Sequence, residues 1–200
     1  IDNARAYLKL VERTPLSRIR LGIEMLSRNP DGKLKAGLEQ DIAELDALVD
    51  DILLASRLDM NKTLSEREST DLLALAAEEG ARYEDCSVEG APVTAPVDPR
   101  LVRHLIRNLL DNASHHGAPT LRVEVRRVAG MAVIDVMDAG AGIPESERER
   151  VFVPFYRLPG HAEQAGGVGL GLSLVRQIAQ RHGGSVRCEA RPGGGSVFLL

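Results

Sequence analysis

The sequence predicts an α+β chain in which an antiparallel helical hairpin precedes a two-layer α/β sandwich. Three observations predict it. Apolar residues recur at helical spacing from Leu16 to Ile52, alternating apolar and polar residues mark strand hairpins in the C-terminal half, and helical patterns stand between those hairpins. The bulk composition is that of a soluble protein: 200 residues, 44% hydrophobic and 27% charged, suit one large domain or a medium domain with a smaller appendage.

The hairpin comes first. Ile42, Leu45, Val49 and Ile52 keep a four-three-four-three spacing downstream of Leu38, while Leu16, Ile19, Ile23 and Leu26 form an upstream stripe; Asn29-Pro-Asp-Gly32 separates them with turn-favouring residues. Two helices alone bury little surface, so the hairpin over residues 1–62 is expected to pair with a second copy in a four-helix bundle. The alternative is that the stripes pack on the rest of their own chain. Polar residues over 63–70 predict a linker, and a second domain is expected over 71–200.

Within it, Asp71 is a candidate N-cap for a helix to Tyr83, and Asp98-Pro99 for one from Arg100 to about Ser114. Leu121, Val123 and Val125 alternate with Arg122, Glu124 and Arg126, and Ala129-Gly130 turns into Ala132–Met137, which predicts a strand hairpin. A helix from Leu172 to His182 follows. Ser185–Ala190 and Ser196–Leu200 then flank Arg191-Pro-Gly-Gly-Gly195 as a second hairpin.

Composition excludes several functions. Aromatics are 3%, Trp is absent and the net charge is −4, so nucleic acid is not an expected partner. Cys86 and Cys188 lack metal spacing and read as idle thiols of a reducing compartment. No apolar run reaches the ~18 residues a membrane helix needs, and the first residues lack a signal peptide's apolar stretch. The expected location is cytoplasmic, with room for membrane segments before Ile1 in a fuller protein.

Three glycine-and-acid elements carry the chemistry: Asn108-Leu-Leu-Asp-Asn112, Asp138-Ala-Gly140-Ala-Gly142 and Gly167-Val168-Gly169-Leu170-Gly171-Leu172. Their order reads as a nucleotide site. Asp138 ends an apolar strand, and its carboxylate can accept a hydrogen bond from adenine's exocyclic amine, a bond that contributes roughly 1.5–3 kcal/mol; the alternative is a plain turn Asp. Asn108 and Asn112 share one helix face, where an amide oxygen, foremost that of Asn112, suits a nucleotide-bound Mg²⁺; Asn is also common at helix ends. His115 and His116 either touch phosphate or cap the helix. Gly167–Leu172 runs into a helix whose first N–H groups can bind an anion, without the Lys-Ser/Thr of a P-loop. Leu158–Gly166 could act as a lid or be an ordinary surface loop.

These residues resemble the sensor histidine kinases of two-component signalling, whose catalytic domain shares the GHKL ATPase superfamily with Hsp90, DNA gyrase and MutL. The resemblance spans nearly the whole chain. Asn108–Gly117 is similar to the N box, Asp138–Gly142 to the G1 box, Val151-Phe-Val-Pro-Phe155-Tyr156-Arg157 to the F box and Gly167–Leu172 to the G2 box. It implies ATP and Mg²⁺ as ligands, with Asp138 on adenine, Asn112 on the metal and Asn108, His115, His116, Gly140, Gly142, Ile143, Tyr156 and Gly167–Leu172 around the nucleotide. Arg157 would meet the nucleotide and its lid. It also implies a homodimer and a response-regulator receiver domain as partners, docked near Ile23 and Leu26.

Arg13-Thr-Pro-Leu16 resembles the end of the family's H box, and Thr14 takes its phosphatase position. The start of the box departs from the pattern. Lys9-Leu10-Val11-Glu12 stands where the family writes Ser-His-Glu-Leu, so Leu10 occupies the phosphoacceptor position and all five histidines lie from His104 onward. An engineered or fused N-terminus, residues omitted from the chain, or natural loss of phosphotransfer each accounts for this. Besides the kinase, two functions fit: a phosphotransfer-deficient nucleotide-binding dimer acting through a partner, and a serine kinase like the anti-sigma factors, which normally lack such a hairpin.

Overall fold

The structure is a computed structural model that describes Ile23 and residues 32–60, 67–116, 120–158 and 168–200. Thr14, the Arg13–Leu21 motif, the upstream stripe apart from Ile23, most of the 63–70 linker, Gly117, Gly167 and nearly all of the candidate lid lie outside the described residues. Those described fall into two compact units, divided within the first helix after Leu54; Val168 belongs to the first unit.

That helix, α1 (Gly32–Met60), is continuous, as its apolar repeat and lack of proline require. Its burial departs from the expected stripe. Leu38 and Leu48 are buried, Leu45 and Ile52 half-buried, whereas Ile42, Val49 and Leu53 are each about half exposed, at 48%, 49% and 48%. The apolar arc is wider than one stripe, so a single packing partner leaves part of it uncovered.

The second unit is built on a five-stranded sheet in the order β2 (Cys86–Gly90), β4 (Leu121–Val128), β5 (Met131–Met137), β7 (Ser196–Leu199), β6 (Arg187–Ala190). β2 pairs with β4 in parallel and the remaining pairs are antiparallel. Ala129 and Gly130 both take positive φ, as a two-residue hairpin loop demands, and set Val128 opposite Met131. A separate pair, β1 (Glu68–Asp71) with β3 (Thr94–Val97), was not expected, and neither was β2. Glu68–Ser-Thr-Asp71 lies partly in the stretch read as linker; all three strands are short and carry too few apolar residues for a period-two signal.

The helices of this unit are α2 (Leu72–Gly80), α3 (Pro99–His116) and α4 (Gly171–Arg181). Asp71 caps α2, its carboxylate accepting from the N–H groups of Leu73 and Ala74, and Asp98 caps α3 through Arg100 and Leu101. α2 stops at Gly80 rather than Tyr83: beyond it the backbone closes in tighter turns, Arg82 N–H donating to Glu79 O at 3.3 Å and Tyr83 N–H to Gly80 O at 3.0 Å, and Gly80 packs so closely on Val88 and Cys86 that a Cβ would lie 2.7 Å from Val88. Alternation decides the layers. Leu121, Val123, Val125, Ile134, Val136 and Phe198 are buried on one face of the sheet against Leu75, Ile106, Leu109, Leu110, Leu174 and Ile178. On the other face Arg126 pairs with Asp135, whose carboxyl is held above its ordinary range by burial and drawn back by Arg126.

Between α2 and α3 lies a buried carboxylate. Glu79, 1% exposed, accepts two hydrogen bonds from Arg107 at 3.0 and 3.1 Å and pairs with Arg103 and Arg82 at 3.4 and 3.3 Å. One turn along, the Tyr83 hydroxyl donates to Asp111 at 2.6 Å; burial, helped by that bond, pushes the phenol far above its usual range. These bonds fix how α3 is rotated about its axis.

Candidate functional site

Asp138 follows the last residue of β5 and falls, by strand alternation from Val136, on the helix-covered face. It is 6% exposed. Its Oδ1 accepts from the N–H of Gly140 at 2.8 Å and of Ser196 at 3.3 Å, while its own N–H donates to Ser196 O at 3.0 Å. Both described bonds fall on Oδ1, so Oδ2 remains an acceptor. The glycines make this possible: Gly142 takes φ +76 with a would-be Cβ 3.0 Å from Gly195 O, and at Gly195 a Cβ would lie 2.1 Å from Asp138 O. Arg191, in the β6–β7 turn, donates to Asp138 O at 3.0 Å.

The second wall is made by α3 and α4, which pack on each other, with α3 against β4 and β5. Asn108 donates to Gly171 O at 3.5 Å, which joins α3 to the first residue of α4. A Cβ on Gly171 would touch the Asn108 amide at 3.5 Å. Asn112, one turn further on the same face, is half-buried, and its side-chain amide has no hydrogen-bond partner among the described residues. His115 lies with Nδ1 2.6 Å from Asp111 O, an arrangement that caps the end of α3, and His116 is exposed.

Unlike α2 and α3, α4 begins without a side-chain cap: Leu170, 3% exposed, sits at the N-cap, and Ser173 Oγ turns back to donate to its carbonyl at 2.7 Å. The first N–H groups of α4 are therefore left for another partner, and a helix start in that condition favours an anion. Leu172 is half-buried there.

Phe155 and Tyr156 are fastened to the segment that leads into α4. Phe155 takes φ +64 and donates its N–H to Gly169 O at 2.8 Å, and Gly169, at φ +78, lies so close that a Cβ would stand 2.8 Å from Tyr156 O. The Tyr156 hydroxyl bonds to Glu147 and its ring carries the Arg150 guanidinium 4.5 Å from the centroid. That hydrogen bond raises the phenol. Ile143 O accepts from Arg148 at 3.1 Å, and Arg157 is half-buried. Among the described residues no trio of His, Cys, Asp or Glu converges.

Residues 97–200 match the model of the histidine kinase-, DNA gyrase B- and HSP90-like ATPases. The chain belongs to this ATPase family. Its relatives put it on the histidine-kinase side: it is 35% identical to the sensor protein RstB of Escherichia coli over 93% of this chain and 45% of RstB. It therefore spans less than half the length of that relative. The crystal structure of the ATP-binding domain of PrrB from Mycobacterium tuberculosis superposes with a TM-score of 0.53 at 32% identity, over 68% of this chain and 96% of that one. Histidine kinase ThkA, solved in complex with the response regulator protein TrrA, shares the fold, with a TM-score of 0.74 at 22% identity over 98% of this chain and 59% of that one.

In this ATPase domain the structure places Asp138, Gly140 and Gly142 together with the β6–β7 hairpin, and Asn108 with Gly171. Ser196 was not foreseen from sequence. It lies directly across from Asp138 and shares its carboxylate, and the only local signal is a serine opening a strand after three glycines. Arg191 was likewise read as turn. No helix among the described residues is long and apolar enough to cross a membrane.

Proposed function

We propose that this chain is part of the cytoplasmic core of a sensor histidine kinase, binding ATP with Mg²⁺ and passing the γ-phosphoryl group to a histidine and then to an aspartate of a response-regulator receiver domain. The observation that carries this reading is Asp138: a buried carboxylate with one oxygen held by backbone N–H groups and the other left as an acceptor. That oxygen suits adenine's amino group and repels the carbonyl that guanine offers at the same place. Asn112 brings a half-buried amide without a protein partner, fit to hold Mg²⁺, which when bound neutralises phosphate charge. The uncapped start of α4 supplies N–H groups to the phosphates, and Arg157, at the end of the F-box resemblance, is the candidate cation to meet them. Transfer would break the bond between the γ-phosphorus and its bridging oxygen as an imidazole nitrogen attacks in line, with ADP leaving.

The partner supported by the ThkA complex is a response regulator, and the half-exposed apolar face of α1 supports a second copy of this chain. Leu10 favours a second reading: a dimer that binds nucleotide and a partner without transferring phosphate. Incubation with γ-labelled ATP and a receiver domain separates the two. Acid-labile label on a histidine, or label on the receiver, supports the kinase; binding without label supports the second reading. Absence of any ATP binding at millimolar Mg²⁺ would remove both.

A further inference from the structure

The two helices that flank the candidate nucleotide site are joined at a second place, far from it, by one imidazole. His182 follows the last residue of α4. Its Nε2 accepts the backbone N–H of Asp98, the N-cap of α3, at 3.0 Å, and its Nδ1 lies 2.8 Å from Ile178 O, a carbonyl in the last turn of α4 that also accepts the backbone N–H of His182 at 3.2 Å. These bonds fix the tautomer: Nδ1 carries the proton and Nε2 offers its lone pair.

The Asp98 N–H needs this imidazole. The N–H of an N-cap residue is commonly satisfied by a Glu or Gln three residues on, but here that position is Leu101, which cannot reach back. The ring itself is held in place by the helix end: Gly183 at φ +82 donates to Gln180 O at 3.0 Å and Gly184 to Ala179 O at 2.9 Å, a double closure that leaves the backbone at His182 little freedom.

The distances along the two helices match. Asn108 meets Gly171 at the ligand end and Asp98 meets His182 at the other, which makes α3 and α4 antiparallel. The stretch from Asp98 to Asn108 differs by one residue from that between Gly171 and His182, so the two contacts lie about 15 Å apart along either helix. A pair of helices pinned at one point can slide or pivot; pinned at two, it cannot.

We propose that His182 is a positioning residue for nucleotide binding: it fixes the axial register of α4 against α3, so that the uncapped start of α4 and the Asn108/Asn112 face of α3 meet the same ligand. This rests on the nucleotide reading given above. Whatever shifts α4 along its axis moves Gly171 away from Asn108 by the same amount, and displacements of that kind cost binding or catalysis on the order of tenfold or more.

The test uses the full chain and three variants, His182→Phe, His182→Gln and His182→Asn, each titrated with ATP and Mg²⁺ by calorimetry alongside thermal melts. His182→Phe, which keeps the ring but loses both bonds, is expected to weaken ATP on the order of tenfold. His182→Gln, whose amide oxygen can accept from Asp98, should recover most of the affinity; His182→Asn, too short to reach Asp98 yet able to donate to Ile178, should not. A role confined to stability predicts instead that affinity is unchanged while melting temperature falls. Wild-type affinity in a folded Phe variant, or equal affinity in the Gln and Asn variants, overturns the proposal; if the Phe variant does not fold, the Gln–Asn comparison decides it. Should the parent chain bind no ATP, the nucleotide reading fails instead, and nitrogen NMR of His182 still tests the staple: a proton on Nε2 rather than Nδ1 overturns it.

Discussion

At the scale of single residues the site depends on protonation and on which atoms are already spent. Asp138 uses Oδ1 on two backbone N–H groups, so Asp138→Asn leaves room for the same fold but turns Oδ2 into an amide donor or forces a flip against Gly140. ATP affinity by calorimetry should fall by roughly tenfold to a hundredfold, the worth of a hydrogen bond to a charged acceptor; unchanged affinity would remove Asp138 from adenine recognition. Cys188 lies near it on the buried face. Burial pushes its thiol up to about 11, Arg148 opposes this, and Asp138 and Glu189 add to it. A thiol whose pKa is raised on folding keeps its proton longer in the native state than in the unfolded chain, so its contribution to stability is present below the ordinary thiol range and is lost as pH climbs toward 11. Urea midpoints at pH 8 and pH 10.5 should therefore drop less for Cys188→Ala than for the parent, and equal drops would show that this thiol does not titrate in that window.

At the scale of elements, hairpins and helix ends hold the site in shape. The β6–β7 hairpin presses Gly195 on Asp138 so closely that the Gly195→Ala methyl would stand 2.1 Å from the Asp138 carbonyl oxygen, at a φ of +95 that L residues rarely adopt. That variant should melt earlier and, at a temperature where it is folded, bind ATP more weakly than a Gly193→Ala control, whose Cβ meets nothing; matching affinities would mean the hairpin does not set the carboxylate. The Glu79 cluster acts on α3 in the same way. Arg107→Ala removes two hydrogen bonds from a buried carboxylate and should cost about 1.5–3 kcal/mol in urea unfolding, the remaining arginines limiting the loss. Elements with strong local signals were legible: α3 and α4 from their apolar faces, β4 and β5 from alternation and the Ala129-Gly130 turn, Asp138 and the glycines from their order. What was not legible is what only folding brings together. β2 joins the sheet through a parallel pairing with β4 that no local pattern announces, and Ser196, Arg191 and His182 acquire roles through partners 58, 53 and 84 residues away.

At the scale of the whole molecule the open question is what covers α1. Ile42, Val49 and Leu53 lie along one side of the helix about half exposed, while Leu38 and Leu48 on the adjoining side are buried, so the apolar arc is only partly occupied within one chain. The sequence read one stripe of Ile42, Leu45, Val49 and Ile52; the structure divides those residues between half-buried and exposed, because the four-three repeat drifts around a straight helix and spreads its apolar residues over two neighbouring faces. A two-fold axis beside that exposed face would bring it onto its own copy, the cheapest closed arrangement for a self-complementary patch. Sedimentation equilibrium should then show a reversible dimer at micromolar concentration. Val49→Glu places a charge at the centre of the patch and should raise the dimer dissociation constant by at least about tenfold, since burying an unpaired carboxylate costs well over 1.4 kcal/mol. ATP affinity should not change, because Val49 belongs to the first unit and the candidate nucleotide residues Asp138, Asn112 and Gly171 to the second. A parent chain that stays monomeric across the concentration range would instead assign the exposed face to a different partner, and a Val49→Glu variant that remains dimeric would move the interface off this side of α1.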